Sequence, residues 1–183
     1  MVNRKTATLK AKERELIAEL MKDSHRSDRE LAKTLGVSQP TVSRMIKRLE
    51  KEGYIKEYTI IPDFSKIGFQ LLGLIFVKMK KSLSQEEYSK AETIARQKLE
   101  QNHFHIVMLE RGLGMGYDGV IITFYKDYSD FTEHMGKLKE FPFFESAETQ
   151  SFLIDLHDEA HYLPLGFRHI GNLLIKPIEK TSE

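Results

Sequence analysis

The sequence predicts an α+β protein in which an N-terminal winged helix-turn-helix precedes a ferredoxin-like βαββαβ domain. Two amphipathic segments flank a short glycine-containing turn at residues 35–38, and the second segment has a basic outer face. The rest of the chain alternates apolar, strand-like runs with helical repeats. We therefore expect a helix-turn-helix DNA-binding domain at 1–64, a ferredoxin-like domain at 65–155 and a C-terminal extension at 156–183.

Composition and charge restrict the classes of protein that this chain can be. Its 183 residues include no cysteine, which excludes disulfides and thiolate metal sites, and no apolar run reaches the roughly eighteen residues of a membrane span. The N-terminus lacks the apolar stretch of a signal peptide, so we expect a cytoplasmic protein with no membrane partner. Residues 1–66 carry 15 Lys and Arg against 10 Asp and Glu, and residues 67–183 carry 13 against 17, a net charge of +5 followed by −4. This asymmetry indicates a front part that binds a polyanion and a back part with another role.

The first two helices of the N-terminal domain have clear start and stop signals. Apolar residues recur at helical spacing over residues 11–22, which predicts the first helix. Ser27, with Glu30 three residues later, forms a capping box that begins the second helix, and Gly36 ends it.

A third helix is expected at residues 39–52 and is the candidate recognition helix. Ser38 is a favourable N-cap residue, Pro40 fits only a first helical turn and Gly53 supplies a C-terminal stop. Short hydrogen-bonding side chains occupy the first turn and cations the turns behind it, an order suited to base edges at the tip and phosphates around it. The alternative is an ordinary solvated amphipathic helix with a basic face. A β-rich run at residues 54–61 predicts a strand that would form the wing.

Residues 12–80 resemble the leucine-responsive/AsnC (Lrp/AsnC) family of prokaryotic transcription regulators. The run ELAKTLGVSQPTVSRMIKRLEKEGYIKEYTIIPDFSKIGF carries the similarity. Two departures bear on base preference: the family usually has Arg where Met45 stands, with this chain's Arg at position 44, and the acidic opening of the first helix is Lys-rich here. The resemblance implies double-stranded DNA as a partner. Matching positions are Arg26, Glu30, Leu31, Ala32, Gly36, Ser38, Val42, Arg48, Leu49, Glu50, Gly53, Ile55, Asp63 and Gly68. The candidate DNA-binding residues are Arg26, Ser38, Gln39, Pro40, Thr41, Ser43, Arg44, Lys47, Arg48 and Lys51.

The second domain is predicted from strand and helix signals in chain order. An apolar run at 71–79 indicates a strand, and Ser84 with Glu87 forms a capping box that begins a helix. Helices are expected on one face of the sheet, so a second copy of the chain is the expected cover for the other face. The resemblance likewise implies a homodimer or a larger homo-oligomer. The remaining elements are strands at 104–109 and 120–125, a helix at 128–140 and a last strand at 147–154.

Glycines at positions 112, 114 and 116 are expected to form a loop between two strands. The run lacks the Lys and the Ser or Thr of a phosphate-binding P-loop, which leaves a tight turn or an effector pocket. Gly116, Tyr117 and Asp118 resemble the family's Gly-x-Tyr-Asp signature, and the resemblance implies an amino acid or similar small molecule as effector. Asp118 would take the ammonium group of an amino acid, and backbone N–H groups from Gly114 to Gly116 its carboxylate.

The C-terminal extension contains His157 and His161, which on a helix would share one face and form a weak candidate site for Zn²⁺ or Ni²⁺. The run HDEAH is not the HExxH motif, and a solvated or dimer-contacting tail is the main alternative. Residues 163–175 are too apolar for a disordered end, so we expect this segment to dock on its own chain or on a partner.

Two further functions compete with transcription regulation. Sirohaem decarboxylases share the winged-helix plus AsnC-like architecture, but residues 105–111 depart from their His-Asn-Tyr run with a following Arg. We therefore predict that the protein is not an enzyme and has no cofactor. An architectural DNA-binding protein would differ from a regulator in having little sequence preference.

Overall fold

The computed structural model divides into two compact units. The helical unit comprises residues 1–61 and 162–183, and the sheet unit comprises residues 62–161. No helix of the described part of the chain is long and apolar enough to cross a membrane. The residues that the structure describes are 9–80, 84–101, 105–160 and 163–175.

The elements of the described part follow the predicted order of helices and strands. Most bounds lie within a few residues of those predicted, and a short 3₁₀ turn at Ser146–Glu148 precedes the last strand. The helices are α1 (Ala11–Lys22), α2 (Asp28–Leu35), α3 (Gln39–Lys51), α4 (Gln85–Gln101), α5 (Tyr128–Lys139) and α6 (Arg168–Ile175). The strands are β1 (Leu71–Val77), β2 (His105–Gly114), β3 (Tyr117–Tyr125) and β4 (Gln150–Asp155).

Local capping fixes the ends of α2 as the sequence predicts. The Ser27 hydroxyl accepts from the Glu30 backbone N–H at 3.3 Å, and the Glu30 carboxylate accepts from the Ser27 N–H at 2.8 Å. Gly36 then adopts a left-handed conformation, with φ of 66°, and ends the helix. Together these signals confirm the predicted capping box and stop. The core between α1, α2 and α3 consists of Leu16, Leu31, Ala32, Leu35, Val42 and Leu49.

Helix α3 begins at Gln39 with Ser38 in the N-cap position, as predicted, although the Ser38 hydroxyl is paired with the Thr41 hydroxyl at 2.8 Å and makes no capping hydrogen bond. The strand prediction for the helical unit is wrong. Residues 54–61 form no strand in the described structure. A strand needs a neighbour that completes its backbone hydrogen bonds, and β propensity alone does not supply one. Instead, the Tyr58 hydroxyl donates to the Glu50 carboxylate at 3.1 Å and fastens this segment to the end of α3.

The C-terminal tail contributes a helix to the helical unit. Gly171 of α6 is buried and lies against α1, where an ideal Cβ on Gly171 would come within 2.7 Å of the Ala18 carbonyl oxygen. Ala18 is itself fully buried. Because only a glycine allows this approach, the two backbones are in direct contact. The apolar tail therefore docks within its own chain in this structure.

The sheet unit is a four-stranded antiparallel sheet in the order β2-β3-β1-β4, which confirms the predicted ferredoxin-like arrangement. Its core joins Ile75, Ile121 and Tyr125 of the sheet to Phe131 of α5. The Tyr125 ring lies over Gly73 of β1, where an added Cβ would be 2.6 Å from the ring. Strand residues alternate in direction, so Phe124, adjacent to Tyr125, belongs to the opposite face.

The segment that leads into β1 covers part of that opposite face. The Phe64 ring stacks on the Phe124 ring with centroids 3.9 Å apart, and the Phe69 ring lies 5.6 Å from Phe124. The face is nevertheless open elsewhere, because Phe152 and Ile154 of β4 are 63% and 37% exposed. A second copy of the chain remains the predicted cover for this surface.

Candidate nucleic-acid interface

The N-terminal tip of α3 is a small network of exposed polar groups. The Ser38 and Thr41 hydroxyls are 2.8 Å apart. Arg44, one turn further along, turns back toward the tip: its Nε donates to the Pro40 carbonyl oxygen at 3.3 Å, and its Nη2 donates to the Thr41 hydroxyl at 3.4 Å. These contacts hold a guanidinium, a donor suited to guanine, beside the short side chains of the first turn.

Behind the tip, α3 presents further cations to solvent. Lys47 and Lys51 are exposed and form no ion pair within the described part of the chain. Gln39 is exposed beside Pro40, and Ser43 is half-buried. These two exposed ammonium groups, which make no ion pair with the described residues, are available to phosphate oxygens.

Arg48 lies on the same helix but is engaged with protein carboxylates. Its guanidinium donates to Glu52 from Nε at 2.8 Å and from Nη2 at 3.2 Å, and it also forms an ion pair with Glu13 of α1. Its hydrogen bond with Glu52 raises the pKa of Arg48, with Glu13 adding to the effect. The side chain of Glu13 is only 4% exposed. Arg48 therefore joins α3 to α1.

Arg26, the remaining candidate cation, is part of a second network between helices. It forms an ion pair with Glu19 of α1 and hydrogen bonds to the Thr34 hydroxyl and, at 3.4 Å, to the Glu30 carbonyl oxygen. Lys22 also binds Glu19, at 2.7 Å. Hydrogen bonds from Lys22 and Arg26 hold the pKa of Glu19 below its usual value despite partial burial. Arg26 thus connects α1 to α2.

The acidic partners of these arginines were missed by sequence reasoning, although signals for two of them existed. Glu13 falls three residues before Leu16, on the apolar stripe of α1, where a charged residue requires an inward-facing partner. Glu52, four residues after Arg48, was a further signal. The Arg48 network fixes the recognition helix against α1, and the Arg26 network fixes α2 against α1.

The glycine run forms a tighter structure than the predicted loop. Gly112 lies inside β2, and Gly114 pairs with Tyr117 across a two-residue hairpin. Met115 and Gly116 at its centre have φ values of 51° and 81°. Positive φ at both central residues is the signature of a type I′ turn. The structure thus shows the tight-turn alternative, and the strands extend beyond their predicted bounds of 109 and 120 as far as the turn itself.

Asp118, an effector candidate, has a structural contact at the start of β3. Its Oδ2 accepts from the Met79 backbone N–H at 2.8 Å, which ties β3 to the residues that follow β1. The Tyr117 ring lies 5.7 Å from the Phe76 ring. Lys78 forms an ion pair with Glu148, whose hydrogen bond raises the pKa of Lys78, with Asp118 contributing a smaller effect. Charged groups of both signs thus lie near the candidate effector residues.

The described part of the candidate histidine site in the tail is not helical. His157 lies in a turn, where its N–H donates to the Asp155 carboxylate at 2.8 Å, and residues 156–160 are not helical. His161 lies outside the described residues. Among the described residues, no group of three or more His, Asp or Glu could hold a metal ion.

Comparison with known proteins places the N-terminal part in a recognised class. Residues 9–56 match a family model described as winged helix-turn-helix DNA-binding. The chain is 39% identical over 70 residues to the uncharacterized HTH-type transcriptional regulator PH1692 of Pyrococcus horikoshii, which covers 38% of this chain and 47% of that protein. It is 37% identical over 65 residues to the HTH-type transcriptional regulator LrpC of Bacillus subtilis, covering 36% and 45%. The chain thus spans about half the length of these curated relatives.

Solved structures share the fold over most of the chain. LrpC of B. subtilis matches with a TM-score of 0.65 at 21% identity, covering 85% of this chain and 99% of that chain. The Neisseria meningitidis transcriptional regulator NMB0573, solved as a complex with L-Met, matches with a TM-score of 0.68 at 18% identity, covering 89% and 99%. These similarities confirm the predicted α+β fold class.

Proposed function

We propose that this chain, whose resemblance to the Lrp/AsnC regulators is borne out by its winged helix-turn-helix domain and its fold, is a sequence-specific DNA-binding transcription regulator. The observation that carries the proposal is the tip of α3. There Arg44 is held beside Ser38 and Thr41 by its own helix, and Lys47 and Lys51 are exposed behind it. This arrangement provides one preorganised donor for a base edge and separate cations for phosphates.

The DNA-binding candidates then divide into two groups. The direct contacts proposed are those of the exposed tip and of the Lys47 and Lys51 ammonium groups, whereas Arg26 and Arg48 act as positioning residues: Arg26 holds α2 against α1, and Arg48 holds α3 against α1. The division follows from charge: a guanidinium already paired with carboxylates has less to offer a phosphate. The proposed direct contacts are Ser38, Gln39, Pro40, Thr41, Ser43, Arg44, Lys47 and Lys51.

Selection of DNA from a random-sequence pool tests the proposal. The unaltered chain should enrich a defined sequence and bind it with strong salt dependence. Replacing Arg44, Lys47 and Lys51 together by Ala should abolish this binding. The matched control removes three exposed cations of the sheet unit, Lys90, Lys126 and Lys139, and should retain it. Equal losses in both variants would mean that only overall charge matters, and enrichment without any consensus would favour an architectural protein.

A homodimer is part of the proposal. A small winged helix alone rarely binds DNA tightly, and two-fold symmetry would place two recognition helices on an inverted repeat, about one helical turn or a multiple of it apart. The exposed apolar residues of β4 supply a surface for the second copy. Light scattering at micromolar concentration should give at least twice the chain mass of 21.3 kDa. A mass of one chain would exclude the dimer.

We extend the proposal to an amino-acid effector bound by the sheet unit. The L-Met complex is a property of NMB0573. For this chain the support is the pair of charged groups, Asp118 and Lys78, that lies beside the turn between β2 and β3.

Enzymatic activity is not proposed. The run at residues 105–111 departs from the decarboxylase signature, and its first residue, His105, packs its ring edge-on against the Phe69 ring, with centroids 4.8 Å apart. A chromosomal DNA partner makes the cytoplasm the proposed location.

A further inference from the structure

The contact between α6 and α1 is the closest helix approach that the structure describes through a glycine. A Cβ built on Gly171 would lie 2.7 Å from the Ala18 carbonyl oxygen and 3.3 Å from the Met21 Cβ. The first distance is below any that a real Cβ tolerates, and the atom it meets is backbone, which cannot rotate away. Docking of α6 therefore depends on the absence of a side chain at position 171.

The path of the chain gives this contact a consequence beyond packing. The helical unit is built from residues 1–61 and again from residues 162–183, with the whole sheet unit between them in sequence. The two units are therefore joined by two chain crossings while α6 is docked. When α6 is released, the folded helices α1 to α3 remain connected to the sheet unit only through the chain at residues 61–62.

Several features make the docking reversible. The helix α6 has only eight residues, which is too short for a helix to be stable alone in water. Its Ile170, Leu173 and Ile175 are 48%, 66% and 42% exposed, so about half of this apolar surface stays in contact with water. A partly exposed element opens at a lower free-energy cost than a fully buried core.

The docked helix also adjoins the ion-pair network of the helix-turn-helix. The Lys22 Cγ lies 3.4 Å from the ideal Gly171 Cβ, and the Lys22 ammonium binds Glu19. Glu19 in turn binds Arg26, which contacts Thr34 of α2. The C-terminal half of α1 therefore contacts α6 and also carries Glu19, the residue that is linked to α2 through Arg26.

We propose that α6 is a reversible clasp, which in its docked state limits the motion of the DNA-binding unit and preorganises it for DNA with two half-sites. The inference rests on the proposed function. Restricting a binding module before it meets its ligand reduces the entropy lost on binding. This reduction in entropy loss raises affinity where two modules must bind at once. A single half-site can be bound by one module in any orientation of the other, so preorganisation does not raise the affinity for it.

Two helical glycines offer a matched pair of variants for the test. Gly171→Ala places a methyl group against the Ala18 backbone, whereas Gly136→Ala in α5 places one in open space. Both exchanges raise helix propensity by the same amount, so the two variants differ in the steric change at the α1 contact and not in helix propensity. Gly171→Leu supplies the stronger version of the same change.

A thiol probe reports docking directly. The chain has no cysteine, so Met21→Cys introduces a single thiol at the α6 contact that is smaller than the side chain it replaces. Labelling with a maleimide should be about tenfold faster in the Gly171→Ala background than in the unaltered background, because opening no longer limits access. The Gly136→Ala background should label at the unaltered rate. Equal rates in the two alanine backgrounds would overturn the docking.

Binding to DNA then tests the role of the clasp. The probes are a duplex selected by the unaltered chain from a random pool and the same duplex with one half-site scrambled. Gly171→Ala should bind the intact duplex about tenfold more weakly and the scrambled duplex equally well. Faster thiol labelling with unchanged affinity for the intact duplex would overturn the clasp. Failure of the unaltered chain to select any duplex would instead overturn the proposed function and the DNA role of the clasp, while the labelling contrast still decides the docking.

Discussion

Arg48 of the recognition helix forms an ion pair with Glu13 of α1, whose side chain is almost completely buried. The same guanidinium binds Glu52 on its own helix. A buried carboxylate is costly unless it is paired, so Arg48 makes the inward position of Glu13 possible. The pair couples the stability of the domain to the position of α3.

Replacing Arg48 by Ala should therefore destabilise the helical unit. Glu13 would keep the Lys10 N–H, at 3.0 Å, but lose its cation, and an underpaired buried carboxylate costs about 1 to 3 kcal/mol. Denaturant unfolding followed by circular dichroism measures the change. Lys47→Ala on the same helix is the control and should shift the free energy of unfolding by less than about 0.5 kcal/mol.

The two variants should also differ in how DNA affinity depends on salt. Lys47→Ala should reduce the slope of log affinity against log salt by about one, because one phosphate contact is lost. Arg48→Ala, measured where it is fully folded, should leave that slope unchanged. A reduced slope for Arg48→Ala would show that Arg48 meets a phosphate after all.

Arg44 should contribute to base selection. Arg44→Ala should weaken binding to the selected site by about 1 to 3 kcal/mol and flatten the preference at one base pair, since a bidentate donor to guanine is removed. Competition binding with duplexes altered at each position measures the preference. Unchanged specific binding would mean that the register assigned to α3 is wrong.

The sequence predicted best those features that depend on neighbouring residues. The capping box at Ser27 and Glu30 and the stop at Gly36 are local, and all three form as predicted. The prediction of a wing strand failed because a strand forms only where a second segment, often distant in the chain, completes its backbone hydrogen bonds. The strands of the hairpin were predicted too short because a glycine such as Gly112 is compatible with both a loop and a strand.

The candidate site shows the same limit. Lys47 and Arg48 are both DNA-binding candidates in the sequence, yet in the structure Arg48 is engaged with carboxylates and Lys47 is not. The difference lies in Glu13, which is distant in sequence and becomes adjacent only when α1 packs on α3. Helical periodicity identifies which face is polar, but tertiary pairing decides which of its charges remain available.

A buried histidine should make the stability of the sheet unit depend on pH. His134 is 3% exposed, and its Nδ1 lies 2.6 Å from the Tyr125 hydroxyl. Burial lowers the pKa of His134 from 6.5 to about 4, opposed by nearby Asp130 and assisted by Lys137. The unfolded chain then binds a proton that the folded chain does not, so stability falls as the pH drops from about 6.5 toward 4.

The expected loss from this group between pH 6.5 and pH 5 is at most about 2 kcal/mol. Denaturant unfolding at pH values across this window measures it. His134→Gln, which does not titrate and can still accept from the Tyr125 hydroxyl, is the control. Its stability curve should be flatter than that of the unaltered chain, and parallel curves would contradict the assignment of the pH dependence to His134.

Two substitutions of Asp118 should distinguish a structural role of its carboxylate from a ligand-binding role. Its carboxylate accepts from the Met79 N–H, so Asp118→Ala should cost about 1 to 2 kcal/mol of stability. Asp118→Asn retains an acceptor oxygen for that hydrogen bond and removes only the charge, and it should melt close to the unaltered chain. Thermal melting against all twenty amino acids then identifies a ligand, since a hundredfold excess over the dissociation constant stabilises by about 2.7 kcal/mol. If Asp118 binds the ammonium group, Asp118→Asn should lose this response while keeping its melting temperature, and a full response in Asp118→Asn would place the effector pocket elsewhere.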